Sequence, residues 1–228
     1  MRPLIIIVSK YAPLPDSGSN PRWYELASRM SQSGYKCEII TSDSNHGSSI
    51  RPIAQAVKIF DIGTICYHVI RTTKYTQSAS MARVISWFDF DLKLFLHCRK
   101  MAPDVVVISS LSLTSIIFGI YLKWRHGSRL VFEVRDIWPL TMIEEGRFSQ
   151  WHPLALYLRW IEVWGYRRAD LIVGTMPNLK QHVLESGVQK PDSAFHTCGI
   201  GVVTERAQFH GSFEFPDNIE ACVHERTL

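Results

Sequence analysis

Three segments of the sequence bring together residue types suited to a negatively charged ligand. In the first, Ser17, Gly18, Ser19 and Asn20 precede Pro21 and Arg22. Small residues let a backbone approach a ligand, and a helix opening at Pro21 aims free N–H groups and its positive dipole end at an anion. Arg22 adds a guanidinium that can grip a phosphate or carboxylate through two hydrogen bonds. The same residues also read as a plain helix start, with Asn20 or Ser19 as N-cap. No GxGxxG pattern is present, which argues against a dinucleotide cofactor.

The second segment is Glu133-Val134-Arg135-Asp136-Ile137-Trp138-Pro139, at the end of an apolar run. Arg135 and Asp136 there are candidate catalytic or substrate-positioning groups, or else a surface ion pair of small energetic consequence. The third is a pair of aromatic-rich stretches. One holds Trp87, Phe88, Phe90, Lys93, Leu94 and Phe95; the other holds Tyr157, Arg159, Trp160, Trp164, Arg167 and Arg168. Apolar residues nearly encircle the first helix, which favours burial against a sheet. Trp and Tyr beside Arg also suit a membrane interface or a lipid-bearing acceptor, with Trp87, Phe90, Lys93 and Trp160 as its candidate face.

Positioning these groups falls to alternating strands and helices. Residues 4–9 form a continuous apolar run, as expected for a strand covered on both faces, 104–109 reads as a buried strand, and 37–41, 129–134 and 170–174 read as further strands. Residues 57–60 and 64–71 also read as strands, the second alternating and placed nearer an edge. Helices are expected from Pro21 to about Gly34, and over 80–100, 113–125, 153–168 and 177–186, the last stopped by Gly187. The pattern predicts an α/β fold: a Rossmann-like, doubly wound, mainly parallel sheet with helices on both faces. In such a sheet ligands sit beyond the carboxyl ends of the strands, where the first two segments converge.

Composition sets limits on function. The 228 residues are 46% hydrophobic and 20% charged, a globular balance, and the formal charge of +4 is too mild to indicate nucleic acid binding. Cys37, Cys66, Cys98, Cys198 and Cys222 form no CxxC pair, so neither a metal site nor a disulfide framework is expected. The apolar run at 4–8 is too short for a secretory leader, and the reading is cytoplasmic. Residues 105–122 carry no charge over nearly a membrane span, but five hydroxyl residues between 109 and 115 place a strand-to-helix boundary in the middle.

Taken together, the segments resemble the N-terminal half of the retaining family 4 glycosyltransferases, particularly those of bacterial surface polysaccharides. Pro13, Pro15, Ser17-Gly18, Arg22, Leu26-Ala27 and Gly34-Tyr35 follow that family's opening pattern. FEVRDIWP at 132–139 resembles its strand-end motif, and RRADLIVGTMPNLKQHVLESGV at 167–188 its closing segment. Ser17 replaces one glycine of the usual pair. Met176 stands where a capping Ser or Thr is usual, leaving that cap to Thr175 or to nothing. GIGVV at 199–203 departs from the usual hinge. The resemblance covers about residues 4–203. The family's paired glutamates, separated by seven residues, occur nowhere in the sequence.

The resemblance implies one half of a GT-B enzyme: residues 1–198 as the acceptor-side domain and 199–228 as linker or tail, with the donor domain absent. It further implies retaining transfer from a nucleotide-sugar, which is a substrate and not a cofactor, to a polysaccharide or lipid-linked precursor. No metal is required, and peripheral contact with the inner face of a membrane is expected. Ser17 to Asn20 would then face the donor phosphate, Asp136 would orient the acceptor hydroxyl, and Arg135 would hold a charged substrate group. The alternative is a truncated, non-catalytic binding domain or subunit that needs a separate donor-binding domain.

Overall fold

Leu4–Val8, a run of one leucine, three isoleucines and a valine, forms the central strand β1 of an eight-stranded sheet. In this computed structural model the described residues are 2–15, 22–44, 50, 52–75, 81–137, 140 and 149–198. Side chains alternate across β1: Ile5 and Ile7 point to one face, Ile6 and Val8 to the other, and all four are buried. Each fully buried isoleucine contributes roughly 1.5–3 kcal/mol.

The first crossover runs through α1 (Arg22–Gln32) to β2 (Lys36–Ser42), which pairs parallel with β1. Gly34, at φ +94°, provides the left-handed turn that ends α1. The hairpin β3 (Val57–Ile62) and β4 (Ile65–Ile70) follows, then α2 (Met81–Cys98) and β5 (Val105–Ser109). A 3-10 segment, Ser110–Ser115, leads into α3 (Ile116–His126) and β6 (Arg129–Val134). Next come α4 (Pro153–Arg168), β7 (Leu171–Gly174), α5 (Leu179–Glu185) and the short β8 (Phe195–Thr197).

The sheet order is β3-β4-β2-β1-β5-β6-β7-β8, every pair parallel except β3 with β4. This is the expected Rossmann-like architecture. Helix α1 covers one face through Trp23 and Ala27. Helices α2 to α5 cover the other through residues such as Phe90, Leu94, Phe118, Leu158, Ile161 and Val183. The uncharged stretch at 105–122 resolves into β5, the 3-10 segment and the first part of α3. No helix among the described residues is long and apolar enough to cross a membrane. Helix α5 starts at Leu179 with Asn178 as N-cap and no side-chain capping bond, so Thr175 does not cap it. The described residues fall within one unit, Met1–Cys198; the expected linker or tail at 199–228 lies outside them.

The alternating segment, expected nearer an edge, is β4, which lies one strand in from the edge strand β3, its antiparallel partner. The polar residue His68 in β4 is buried because it has partners. Its Nε2 lies 3.2 Å from Glu38 Oε2 on β2, and its Nδ1 is hydrogen-bonded to His97 Nε2 of α2 at 2.9 Å. Lys36 Nζ donates to Glu38 Oε1 at 2.7 Å. These bonds, the one from His68 foremost, hold the Glu38 carboxyl at about 2, below its usual range. A depressed carboxyl pKa adds stability that is present above the unfolded value and lost as pH falls through the folded one. Glu38→Gln is therefore expected to flatten the fall in urea midpoint between about pH 4.5 and 2. A slope equal to that of the wild type would contradict this role.

Candidate functional site

The chain winds from β1 outward to β2 through α1, and from β4 back across to β5 through α2. The winding reverses between β1 and β5, so the crevice at their carboxyl ends is the place where a ligand is expected. Groups from four strand ends converge there: Ser9 and Lys10 after β1, Asp43 and Ser44 after β2, Ser110 after β5, and Arg135 and Asp136 after β6.

The turn after β6 is fixed through its backbone. Arg135 N donates to Ser110 Oγ at 2.9 Å, and that hydroxyl in turn reaches the Asp136 carbonyl at 3.5 Å. Ile137 is buried beneath the turn, Asp136 is half-buried and the Arg135 side chain is exposed. A rigid turn thus presents one carboxylate and one guanidinium at the strand end, an arrangement able to orient a hydroxyl and hold an anion.

Arg22, the first residue of α1, is already engaged. Its Nη1 lies 3.1 Å from Glu133 Oε1, and its guanidinium stacks over the Trp23 ring at 5.6 Å. Glu133, on β6, is only 2% exposed, and burial pushes its carboxyl pKa up against the pull of Arg22. The cation expected beside the anion loop is therefore also half of an ion pair that ties the start of α1 to β6. The remaining members of the expected anion loop, Ser17, Gly18, Ser19 and Asn20, lie outside the described residues.

Sequence reasoning missed a group of residues on the β2 side of the crevice. Lys10 is 1% exposed, donates to the Ser44 carbonyl at 3.2 Å, and lies 5.1, 5.7 and 5.8 Å from the ring centres of Tyr11, Tyr75 and Phe90. Burial pushes its pKa down to about 7, with the Asp91 carboxylate opposing the shift. The Tyr11 hydroxyl gathers bonds from Trp87 Nε1 at 2.9 Å, Tyr75 at 3.2 Å and Arg83 Nε at 3.4 Å. Beside it, Asp43 accepts from Thr72 N at 3.0 Å and from Ile53 N at 3.1 Å, and pairs with Lys74 at 2.5 Å. Asp91 accepts from the hydroxyls of Thr114 and Ser115, and burial raises its pKa to about 7. The available signal was Ser9-Lys10 itself, a lysine set directly after an apolar central strand. Among the described residues no group of three or more His, Cys, Asp or Glu side chains is arranged to hold a metal ion.

The aromatic helices divide differently from the expected face. Trp87 and Phe90 are core residues and leave it: Trp87 bonds inward to Tyr11, and Phe90 packs among Ile6, Val8 and Ile40. Lys93 is half-buried, pairing with Asp89 at 2.7 Å and donating to the Arg71 carbonyl at 2.9 Å. Trp160 is 58% exposed and keeps its place on the surface.

Residues 17–198 match the family model of the glycosyl transferase 4-like domain. The fold is similar to sucrose-phosphate synthase from Thermosynechococcus elongatus, with a TM-score of 0.58 at 13% identity, over 88% of this chain and 49% of that chain. A shorter chain of sucrose-phosphate synthase from the same organism is matched at 14% identity with a TM-score of 0.54, over 89% of this chain and 91% of that one. No curated protein matches the chain. The chain spans about half the length of the longer synthase chain. It belongs to the glycosyl transferase 4-like domain family, and its fold is that of the N-terminal half of a GT-B glycosyltransferase.

Proposed function

We infer that the chain supplies the acceptor side of a retaining glycosyltransferase. That enzyme moves a hexose-type sugar from a nucleotide-sugar to a polysaccharide or lipid-linked oligosaccharide precursor. The observation that carries this reading is the family match over residues 17–198, which includes the strand-end turn bearing Arg135 and Asp136. Departure of a nucleoside diphosphate leaves an oxocarbenium-like sugar, and negative charge develops on the leaving phosphate. Backbone N–H groups at Ser17 to Asn20 would stabilise that charge. Asp136 orients the acceptor hydroxyl, and Arg135 holds a charged group of the substrate. The nucleotide is gripped by a donor domain outside residues 1–228, and no metal is needed for these steps. This work belongs on the cytoplasmic side of the membrane, where nucleotide-sugars are available.

The test is a transfer assay in which the chain works together with its donor domain, using labelled nucleotide-hexoses and lipid-linked acceptors. Asp136→Ala is expected to lower turnover by roughly a hundredfold, the usual scale for a positioned proton-handling group. Unchanged turnover in both Asp136→Ala and Arg135→Ala would remove the turn from the site. Micromolar binding of a nucleotide-sugar by this chain alone would contradict the acceptor-side assignment.

A further inference from the structure

Away from the turn after β6, one carboxyl side chain sits in aromatic surroundings. Asp91 lies in the middle of α2, with Phe88 one turn before it and Phe95 one turn after, so the three share one side of the helix. With Thr114 of the 3-10 segment, Ile117 and Phe118 of α3 and Tyr157 of α4, they line a crevice of about 140 Å³. One water needs only ~10–15 Å³ of such space, so the crevice has room for a ligand of several heavy atoms. Rings wall it on two sides: the Phe88 and Tyr157 centres lie 6.5 Å apart, and Phe95 meets Phe118 edge-on at 6.5 Å. Its mouth faces solvent, since Phe88, Ile117 and Tyr157 are all exposed.

Among the described residues no cation pairs with Asp91. Its two oxygens accept from the hydroxyls of Thr114 and Ser115, which bring no charge. Lys93 on the same helix is paired with Asp89. Lys10, after β1, attracts the carboxylate at longer range, while its ammonium is bonded to the Ser44 carbonyl. Each carboxylate oxygen keeps a further lone pair after accepting one hydrogen bond. Burial disfavours the charged form and raises the Asp91 pKa to about 7, with Ser115, Thr114 and Lys10 opposing the shift. From α4 the group that faces it is Tyr157, whose own pKa is raised by burial and then by Asp91. A buried carboxylate and the negative faces of aromatic rings favour the same occupant, a positive charge that carries little water. An apolar ligand would leave the carboxylate without compensation, and an anion would be repelled by carboxylate and rings alike.

We propose that this crevice between α2, α3 and α4 is a binding site for a small organic ammonium ion, with Asp91 as its counter-ion and the rings of Phe88, Phe95 and Tyr157 as its cage. The ligand is an alkyl or quaternary ammonium of a few carbon atoms, whose weakly held water matches the aromatic lining. A metal cation would need more oxygen ligands than one carboxylate and the Thr114 hydroxyl supply. The site is distinct from the Arg135–Asp136 turn and does not depend on the sugar chemistry.

Tetramethylammonium and tert-butanol, an uncharged molecule of nearly the same shape, test it on the full chain by NMR titration, read on the ring signals of Phe95 and Tyr157. Tetramethylammonium is expected to bind with a Kd of about 1 mM, and tert-butanol at least about tenfold more weakly. Asp91→Asn keeps the side chain's shape without its charge and should bring the cation down to the level of the alcohol. Tyr157→Leu keeps an apolar wall without a π face, so it should weaken the cation about two- to fivefold and leave the alcohol unchanged. Only the ionised carboxyl serves as counter-ion. Cation binding should therefore fall about tenfold from about pH 8 to about pH 6 in the wild type and stay level in Asp91→Asn. Equal affinity for the two probes, no response at about 100 mM tetramethylammonium, or unchanged cation affinity in either variant would each overturn the proposal. No sugar donor or acceptor is in the titration, so its outcome is separate from that of the transfer reaction.

Discussion

Arg22→Ala should destabilise the domain by about 3–5 kcal/mol, because it leaves a buried carboxylate without its cation. Glu133 faces the first turn of α1 and has Arg22 as its ion-pair partner at 3.1 Å. With the guanidinium gone, the carboxyl must take a proton, draw in water or push the helix start away from β6. The pH dependence identifies which cost is involved. Burial already raises the Glu133 pKa, and loss of Arg22 raises it further. A raised carboxyl pKa gives stability that is present below the unfolded value and lost as pH rises through the folded one. The deficit of Arg22→Ala in urea midpoint should therefore be largest near neutrality and shrink as pH falls toward the unfolded value of about 4.5. Adding Glu133→Gln to Arg22→Ala should recover much of the loss, since a neutral amide is cheaper to bury than an unpaired carboxylate. Equal midpoints for Arg22→Ala and wild type at neutral pH would show that the pair contributes nothing.

The fate of Arg22 shows which information the sequence carries. Apolar runs such as residues 4–8 and 105–109 identify parallel strands because burial on both faces demands them, and the order of strands and helices then sets the fold. The turn at 135–136 was legible for the same reason: it follows such a run. Pairing between Arg22 and Glu133 was not, because nothing local says that the start of α1 will meet β6 across more than a hundred residues. Lys10 was hidden differently. It marks where an apolar run stops, and only the folded chain closes Tyr11, Tyr75 and Phe90 around it. On α2, apolar residues nearly surround the helix, so periodicity alone did not separate buried Trp87 and Phe90 from exposed Phe88 and Leu92. In β4, alternation suggested a place nearer an edge, and the strand lies next to the edge strand; its buried polar position is occupied by a histidine paired with Glu38, which the sequence does not show.

Glycine inside α3 carries the second large expected effect. In an exposed helix, Gly→Ala gains about 1 kcal/mol from propensity. Gly119 should do the reverse. A Cβ built there would lie 2.7 Å from both Ile108 Cγ1 on β5 and Leu130 Cδ1 on β6. Both side chains are fully buried, so neither can swing into solvent, and α3 must lift from the sheet or the strands must shift. Overpacking of this kind costs about 1–3 kcal/mol, more than the propensity gain. Gly119→Ala is thus expected to lower the urea midpoint, and Gly119→Val, with two further methyl groups at the same contact, to prevent the domain from folding. A double-mutant cycle isolates the cause. Leu130→Ala removes one of the two clashing side chains, so Gly119→Ala should cost clearly less in that background than in the wild type. If its cost were the same in both, the close approach of α3 to β5 and β6 would not be what requires glycine. The strands at that contact are the ones that end in the Ser110–Arg135 hydrogen bond. A helix lifted from β5 and β6 should therefore also loosen the turn that presents Asp136, and sugar transfer should fall in Gly119→Ala by more than its folded fraction accounts for.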